Sequence, residues 1–400
     1  MRKDLDAILA EKGAGGLLLY SESFKNPNMY YLTKFLAPDP FIFLKKAGCP
    51  PLIVLNPMEF PRAQKESVVK DVRSYVDYDY AEVVKAAKEP RLGFLKFLAS
   101  VSERELGKGT VVCVPTNFPL VVADALRREG LTIKPMFDVV ERARETKDPD
   151  EIDEIVKAQR VNEKVMSEAI NLIAGCEVGP NNILVQKTDG KRKPLTAGGL
   201  KTLIGHRFLD SWCSVEEEVI VACGPPSSDP HYNGVAEDKI RADQPIVLDL
   251  FPRSINRRYW ADMTRTVVRG KASDAVKRMF DAVSEAKDTC VEALHAGVLG
   301  KEMYDLCCDV LEKAGYDTLR GGKKATKGFV HSLGHGVGLE IHENPTMSEY
   351  NSEPLNEHSV VSVEPGLYDP KIGGVRIEDI VEITKKGCNN LTNMPVILEI

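Results

Sequence analysis

The sequence predicts two domains: an α/β domain over residues 1–145 and an α+β domain over residues 146–400. Three observations carry this. Four hundred residues exceed one ordinary domain. Up to Glu145, short apolar runs alternate with amphipathic stretches, the pattern of an α/β sheet domain. Beyond it, helical and strand runs are more distinct, which favours an α+β arrangement.

In the first domain, Gly16–Tyr20, Pro51–Leu55 and Thr110–Pro115 read as buried strands, the last with a Val-Val-Cys-Val core. Asn117–Arg128 has helical spacing and stops near Gly130. A mixed or parallel sheet is expected. The boundary falls at Lys147-Asp148-Pro149-Asp150, where Pro149 suits the first turn of a helix. From Asp150 to about Ile173, the residues Ile152, Ile155, Val156, Ala158, Val161, Val165, Met166 and Ile170 make one apolar helical face. Helices are also expected over Ala272–Ala296 and Gly300–Ala314. Strands are expected over Val219–Cys223, Pro245–Leu250, Ala261–Val268, Val360–Glu364 and Val375–Thr384.

Hydrophobic residues at 43% and charged residues at 28% are near globular averages, so the chain can bury sizeable cores and is neither disordered nor collagen-like. A net charge of −6 argues against a dedicated nucleic-acid binder. The charge is uneven: net +3 up to Glu145 and −9 thereafter. The N-terminus reaches Glu11 and Lys12 before any apolar stretch that could serve as a signal, and no run approaches the ~20 apolar residues of a membrane span. Nine scattered cysteines without a C-x-x-C pair read as reduced, mostly buried thiols. A cytoplasmic protein with no membrane partner is the expectation.

Chemistry concentrates in the second domain. Asp249 ends Pro-Ile-Val-Leu-Asp-Leu and Asp262 opens Asp-Met-Thr-Arg-Thr-Val-Val. A hairpin centred between Ile255 and Asn256 would pair them directly, with Cβ atoms ~5 Å apart, where like charges repel. Either a cation sits between them, or the register differs and both are surface carboxylates. His331, His335 and His342 fall within twelve residues, among Gly334, Gly336 and Gly338. The 331/335 spacing would share a helix face, but each glycine costs a helix ~1 kcal/mol, so a turn entering a strand is expected. Three histidines beside glycines, which permit close backbone approach, favour a site over separate structural histidines.

Glu364 ends Val-Val-Ser-Val-Glu ahead of Pro365-Gly366. In Gly-Val-Arg-Ile-Glu-Asp, alternation puts Arg376 and Glu378 on one face and Val375 and Ile377 on the other. A carboxylate in or beside an apolar strand is costly unless paired or coordinated. An Arg376–Glu378 ion pair on a solvated face is the bland alternative. His231 follows a turn-rich Gly-Pro-Pro-Ser-Ser loop and says nothing alone.

Taken in order, these residues resemble the pita-bread-fold metallopeptidase family of prolidase, Xaa-Pro aminopeptidase, methionine aminopeptidase and creatinase. The family's ligand order Asp, Asp, His, Glu, Glu matches Asp249, Asp262, His335, Glu364 and Glu378. The family's substrate histidines align with His231, His331 and His342, and its arginine near the last ligand with Arg376. The match runs from about Asp150 to the C-terminus. The first domain resembles the creatinase-type, RNase H-like domain, most recognisably at Asn28-Met29-Tyr30-Tyr31-Leu32-Thr33-Lys34-Phe35.

The resemblance implies two divalent metal ions. Four carboxylates and one imidazole suit Mn²⁺ or Co²⁺ best, with Fe²⁺ or Zn²⁺ as further candidates. Two such ions ~3.5–4 Å apart generate a bridging hydroxide nucleophile and stabilise the tetrahedral oxyanion. It further implies bridging roles for Asp262 and Glu378 and a proton shuttle at Glu364. His231 and His342 would hydrogen-bond the scissile peptide, and His331 and Arg376 would position substrate.

The function implied is hydrolysis of the N-terminal Xaa-Pro bond of dipeptides or short peptides by a homodimer. The alternatives are a hydrolase of the same fold acting on a non-Xaa-Pro small molecule, or a non-catalytic binding relative. Methionine aminopeptidases usually lack the N-terminal domain, and creatinase lacks the ligands. The fourteen residues from Glu364 to Glu378 resemble prolidases and compact Xaa-Pro peptidases. Three features depart from the pattern. The Asp249–Asp262 interval is two residues longer, with Phe251 for a common glycine and Arg253, Arg257 and Arg258 at or near the hairpin tip. Thr346 stands where many prolidases carry an arginine for the dipeptide carboxylate. Lys34 replaces a glycine.

Overall fold

A computed structural model describes residues 4–188 and 190–400; the first three residues of the N-terminal stretch read above lie outside the described residues. The chain divides into two compact units, one ending at Arg144 and one spanning Glu145–Ile400.

The first unit is built on a six-stranded mixed sheet in the order Asp71–Ser74, Leu52–Leu55, Phe41–Lys46, Gly16–Ser21, Val111–Val114, Thr132–Pro135. Phe41–Lys46 pairs antiparallel with both its neighbours, and the other three pairings are parallel. Leu18, Ile42, Val54 and Val112 bury one face against Phe97, Leu98 and Val101 of the helix Pro90–Leu106 and Leu126 of the helix Leu120–Arg128. Separately, Asn26 caps the helix Pro27–Thr33 by accepting from the Met29 N–H. That helix ends at Lys34 in the left-handed region (φ 48°), a conformation that glycine adopts most readily.

The second unit opens with the helix Pro149–Ala174. The Asp148 N–H donates to Glu151 in a capping box and Pro149 occupies the first turn. This helix and Ala197–Asp210 pack on an antiparallel sheet of Ile220–Cys223, Ile246–Leu250 and Met263–Val267. The helices Asp274–Ala293 and Gly300–Lys313 bury a second core. That core includes Val361, Val363, Val381 and Ile383 from a five-stranded sheet ordered Glu343–Met347, Gly334–Gly336, Val360–Val363, Asp379–Ile383, Cys388–Asn390. Among the described residues no helix is long and apolar enough to cross a membrane. All nine cysteines are unpaired.

Two expectations are corrected. The aspartates are not directly paired: Asp249 faces Thr264, and Leu250 faces Met263. The turn centre moves one residue along, because the Ser254 N–H donates to the Tyr259 carbonyl and Arg258 closes the turn at φ 66°. The shift is even across the hairpin, so Asp262 remains on the face of Asp249. Residues 375–384 are not one strand. Gly373–Arg376 pairs with Gly366–Asp369, whereas Asp379–Ile383 joins the five-stranded sheet. At the break, the Glu378 N–H donates to the Thr264 carbonyl, tying this connection to the three-stranded sheet.

Candidate metal centre

The second unit holds a cavity of ≈ 620 Å³, and all nine singled-out residues line it: His231, Asp249, Asp262, His331, His335, His342, Glu364, Arg376 and Glu378. Asp249 comes from the end of one strand and Asp262 from just before its partner. His335 occupies the middle of Gly334–Gly336, as the strand expectation required. Glycine flanks it for steric reasons: a Cβ on Gly334 would strike the Ser362 carbonyl, and one on Gly336 the Asn344 carbonyl. Val375 and Ile377 enter the core while Arg376 and Glu378 face the cavity, so the alternation survives the strand break.

Ligand atoms of Asp262, His335 and Glu378 all lie within 4.8 Å of one another. His335 Nε2 is 3.6 Å from Asp262 Oδ2 and 3.2 Å from Glu364 Oε1. Its Nδ1 faces the Gly336 carbonyl at 3.1 Å, an acceptor only, so that nitrogen carries a proton and Nε2 is the nitrogen turned to the carboxylates. The Ser362 hydroxyl accepts from the His335 N–H at 3.0 Å and donates to Glu364 Oε1 at 3.3 Å. Gln159 clamps the Asp262 backbone, donating to its carbonyl at 3.1 Å and accepting from its N–H at 3.2 Å.

Arg376 and Glu378 are buried and do not form the surface ion pair considered above. Arg376 Nη2 binds Asp249 Oδ2 at 2.7 Å, and Nε donates to Thr264 Oγ1 at 3.2 Å. Thr264 in turn donates to Glu378 Oε2 at 2.8 Å. Arg376 Nη1 donates to the Tyr368 hydroxyl at 2.8 Å, which meets His331 Nε2 at 2.9 Å. His331 Nδ1 faces the Ser332 carbonyl at 2.7 Å, so its Nε2 accepts the tyrosine proton. His231 and His342 lie at the open side, with the His342 ring 4.3 Å from that of His335.

Thr264, Tyr368, Gln159 and Ser362 were not anticipated. Thr264 shares the period-two face of Asp262, and Ser362 that of Glu364, a signal legible once both carboxylates are taken as anchors. Gln159, on a distant helix, and Tyr368, beyond the break at Pro365, carry no such signal.

Electrostatics show what the cluster lacks. Burial, followed by the neighbouring acids, pushes Asp262 and Glu378 well above the carboxylate range. Burial raises Asp249 despite Arg376. Burial also penalises charge on Glu364, but the hydrogen bond and charge of His335 win and hold it at about 2. For His335 burial opposes protonation, yet Glu364 and Asp262 lift it to about 9. Burial lowers His331 and His342. Asp249 Oδ1 is buried with no hydrogen-bond partner among the described residues. Four carboxylates, one imidazole and an orphaned oxygen fit divalent cations with oxygen preference.

The sequence profile described as Metallopeptidase family M24 matches residues 153–385. A Pyrococcus horikoshii protein named Xaa-Pro dipeptidase is 30% identical over 371 residues, covering 92% of this chain and 91% of its own. A Pyrococcus furiosus protein of the same name is 35% identical over 273 residues, covering 67% of this chain and 74% of its own. The crystal structure of an X-Pro aminopeptidase from Thermotoga maritima is similar with a TM-score of 0.77 at 26% identity, covering 97% of this chain and 98% of that one.

Proposed function

Because the chain belongs to metallopeptidase family M24, we propose that it hydrolyses the peptide bond preceding proline in Xaa-Pro dipeptides or short Xaa-Pro peptides. Membership makes it a metal-dependent peptidase of pita-bread fold. The convergence of all five ligand candidates on one cavity carries the reading. Asp249, Asp262, His335, Glu364 and Glu378 would hold two divalent ions, Mn²⁺ or Co²⁺ best matching the donors. Such ions supply Lewis acidity and lower the pKa of an attacking water.

The chain's own groups do the rest. By the family resemblance, Asp262 and Glu378 would be shared by both ions. Glu364 receives the proton of the attacking water on a carboxylate oxygen and returns it to the leaving prolyl nitrogen. His231 and His342, on the open side, donate hydrogen bonds to the scissile carbonyl as negative charge develops there. His331 and Arg376, locked through Tyr368, hold substrate orientation. The first unit is read as the creatinase-type domain, the assembly as a homodimer, and the unpaired thiols as fitting the reducing cytoplasm.

The test combines metal analysis with assays on Xaa-Pro dipeptides and Xaa-Pro tripeptides after Mn²⁺ or Co²⁺ loading. Asp262→Ala is expected to lose bound metal and more than a hundredfold in kcat together, beyond the ~10–100-fold loss typical of outer partners of a metal. Retained metal with full activity would remove the assignment. No metal uptake by the unaltered protein would sink the mechanism.

A further inference from the structure

The cavity rim carries a carboxylate that this chemistry leaves unused. Glu217 lies in the loop 215–219, between Cys213–Ser214 and Ile220–Cys223, and its exposed side chain lines the cavity. Both neighbours are tied down. Glu216 accepts from Arg253 Nη2 at 2.7 Å and from the Ser214 hydroxyl at 2.8 Å. Arg253 stacks on Trp260 at 5.4 Å, and the segment Arg253–Ser254 pairs with Cys213–Ser214. The longer hairpin between the two aspartates therefore braces the rim. On the other side, Glu218 accepts from Lys201 Nζ at 2.6 Å and Asn233 Nδ2 at 3.3 Å. Glu217 makes no hydrogen bond or ion pair with another described residue, and its charge reaches His342.

The charges around the cavity are thus asymmetric. Among the described lining residues, Arg376 is the single arginine or lysine, and Asp249 already holds it at 2.7 Å. Lys201 matches the charge of Glu218. Thr346, also lining the cavity, is neutral. Among the described lining residues, Glu217 is an unmatched negative charge and no arginine or lysine is free to receive a carboxylate.

We propose that Glu217 is a specificity-determining residue: it favours Xaa-Pro peptides bearing a cationic side chain adjacent to the proline and disfavours the free carboxylate of Xaa-Pro itself. This inference rests on the hydrolytic reading above. A cation enters opposite an unpaired carboxylate, whereas a free prolyl carboxylate meets repulsion with no compensating partner. Amidation or extension of the peptide removes that repulsion. The charge is exposed, so its leverage is that of a surface ion pair, up to about fivefold, and salt screens it.

The test uses the metal-loaded full chain and Glu217→Gln with matched substrates: Lys-Pro-Leu against Met-Pro-Leu, Leu-Pro-Lys against Leu-Pro-Met, and Leu-Pro against its amide. The unaltered protein is expected to favour the lysine member of one pair by about three- to fivefold in kcat/KM. The pair that responds identifies which side of proline faces Glu217. The amide should be favoured over the dipeptide. Glu217→Gln should bring the lysine ratio to about one and narrow the amide ratio, Glu217→Asp should keep part of both, and salt should mimic the glutamine variant. Ratios unchanged in Glu217→Gln, or no lysine preference in the unaltered protein, overturn the inference while the hydrolytic activity stands. An unaltered protein that cleaves none of the substrates overturns both.

Discussion

At the residue scale, the site depends on a few polar atoms that each serve two neighbours. The Tyr368 hydroxyl accepts from Arg376 and donates to His331, and Thr264 accepts from Arg376 and donates to Glu378. Burial pushes the Tyr368 phenol up to about 12, so it remains a donor throughout the physiological range. Removing the hydroxyl leaves a buried guanidinium N–H and a buried imidazole nitrogen each short of one partner. Tyr368→Phe is therefore expected to cost about 1–3 kcal/mol of stability, read by urea unfolding. The same variant should lower kcat/KM roughly tenfold, because His331 and Arg376 lose their common anchor while Arg376 keeps Asp249 and Thr264. A fall in stability with unchanged kinetics would show that the tyrosine serves packing alone.

At the scale of elements, backbone geometry decides where those side chains can stand. Gly334–Gly336 threads between Val360–Val363 and Glu343–Met347 so closely that Gly334 faces the Ser362 carbonyl with no room for a methyl group. Backbone cannot yield as a flexible side chain can. Gly334→Ala is expected to cost about 1–3 kcal/mol, the usual range for overpacking. It should also displace His335 and weaken metal binding, which calorimetric titration would measure. Much at this scale was legible in the sequence. The helix Pro149–Ala174 announced itself by its apolar stripe and Asp-Pro start, and the glycine triplet correctly argued for a strand at His335. The hairpin register was not legible, because parity fixes which face a residue occupies but not which partner it meets. Nor was the break at Ile377–Glu378, since an unbroken apolar alternation conceals a change of sheet. Gln159 acts through the distant backbone of Asp262, and Tyr368 reaches Arg376 and His331 from another strand, so neither leaves a local pattern.

At the scale of the whole molecule, the net charge of −9 beyond Glu145 acquires a partial cause. Four of those acids converge on one cavity, where two divalent ions would reduce the imbalance to about −5. Without metal, protons must moderate the repulsion. Asp249, Asp262 and Glu378 have raised folded-state pKa values, and His335 rises to about 9. Stability from raised groups is fully present below their unfolded pKa values and is lost as pH climbs through the folded ones. Glu364, held at about 2, and the lowered His331 and His342 run the other way, losing their contribution as pH falls. Those opposing groups are already deprotonated above about pH 6.5, so the raised groups govern the interval from there to about 9. Divalent ions bind the deprotonated ligands and release the retained protons, so metal must stabilise the fold more as pH rises. Thermal unfolding with and without a chelator at about pH 6.5, 7.5 and 9 should show the metal-free Tm falling across the series. The metal-dependent gain should widen over the same steps, from a value near the ~2.7 kcal/mol expected at a hundredfold excess over Kd. A gain independent of pH would mean that the metal displaces no protons, and the buried carboxylates would then lose their assignment as its ligands.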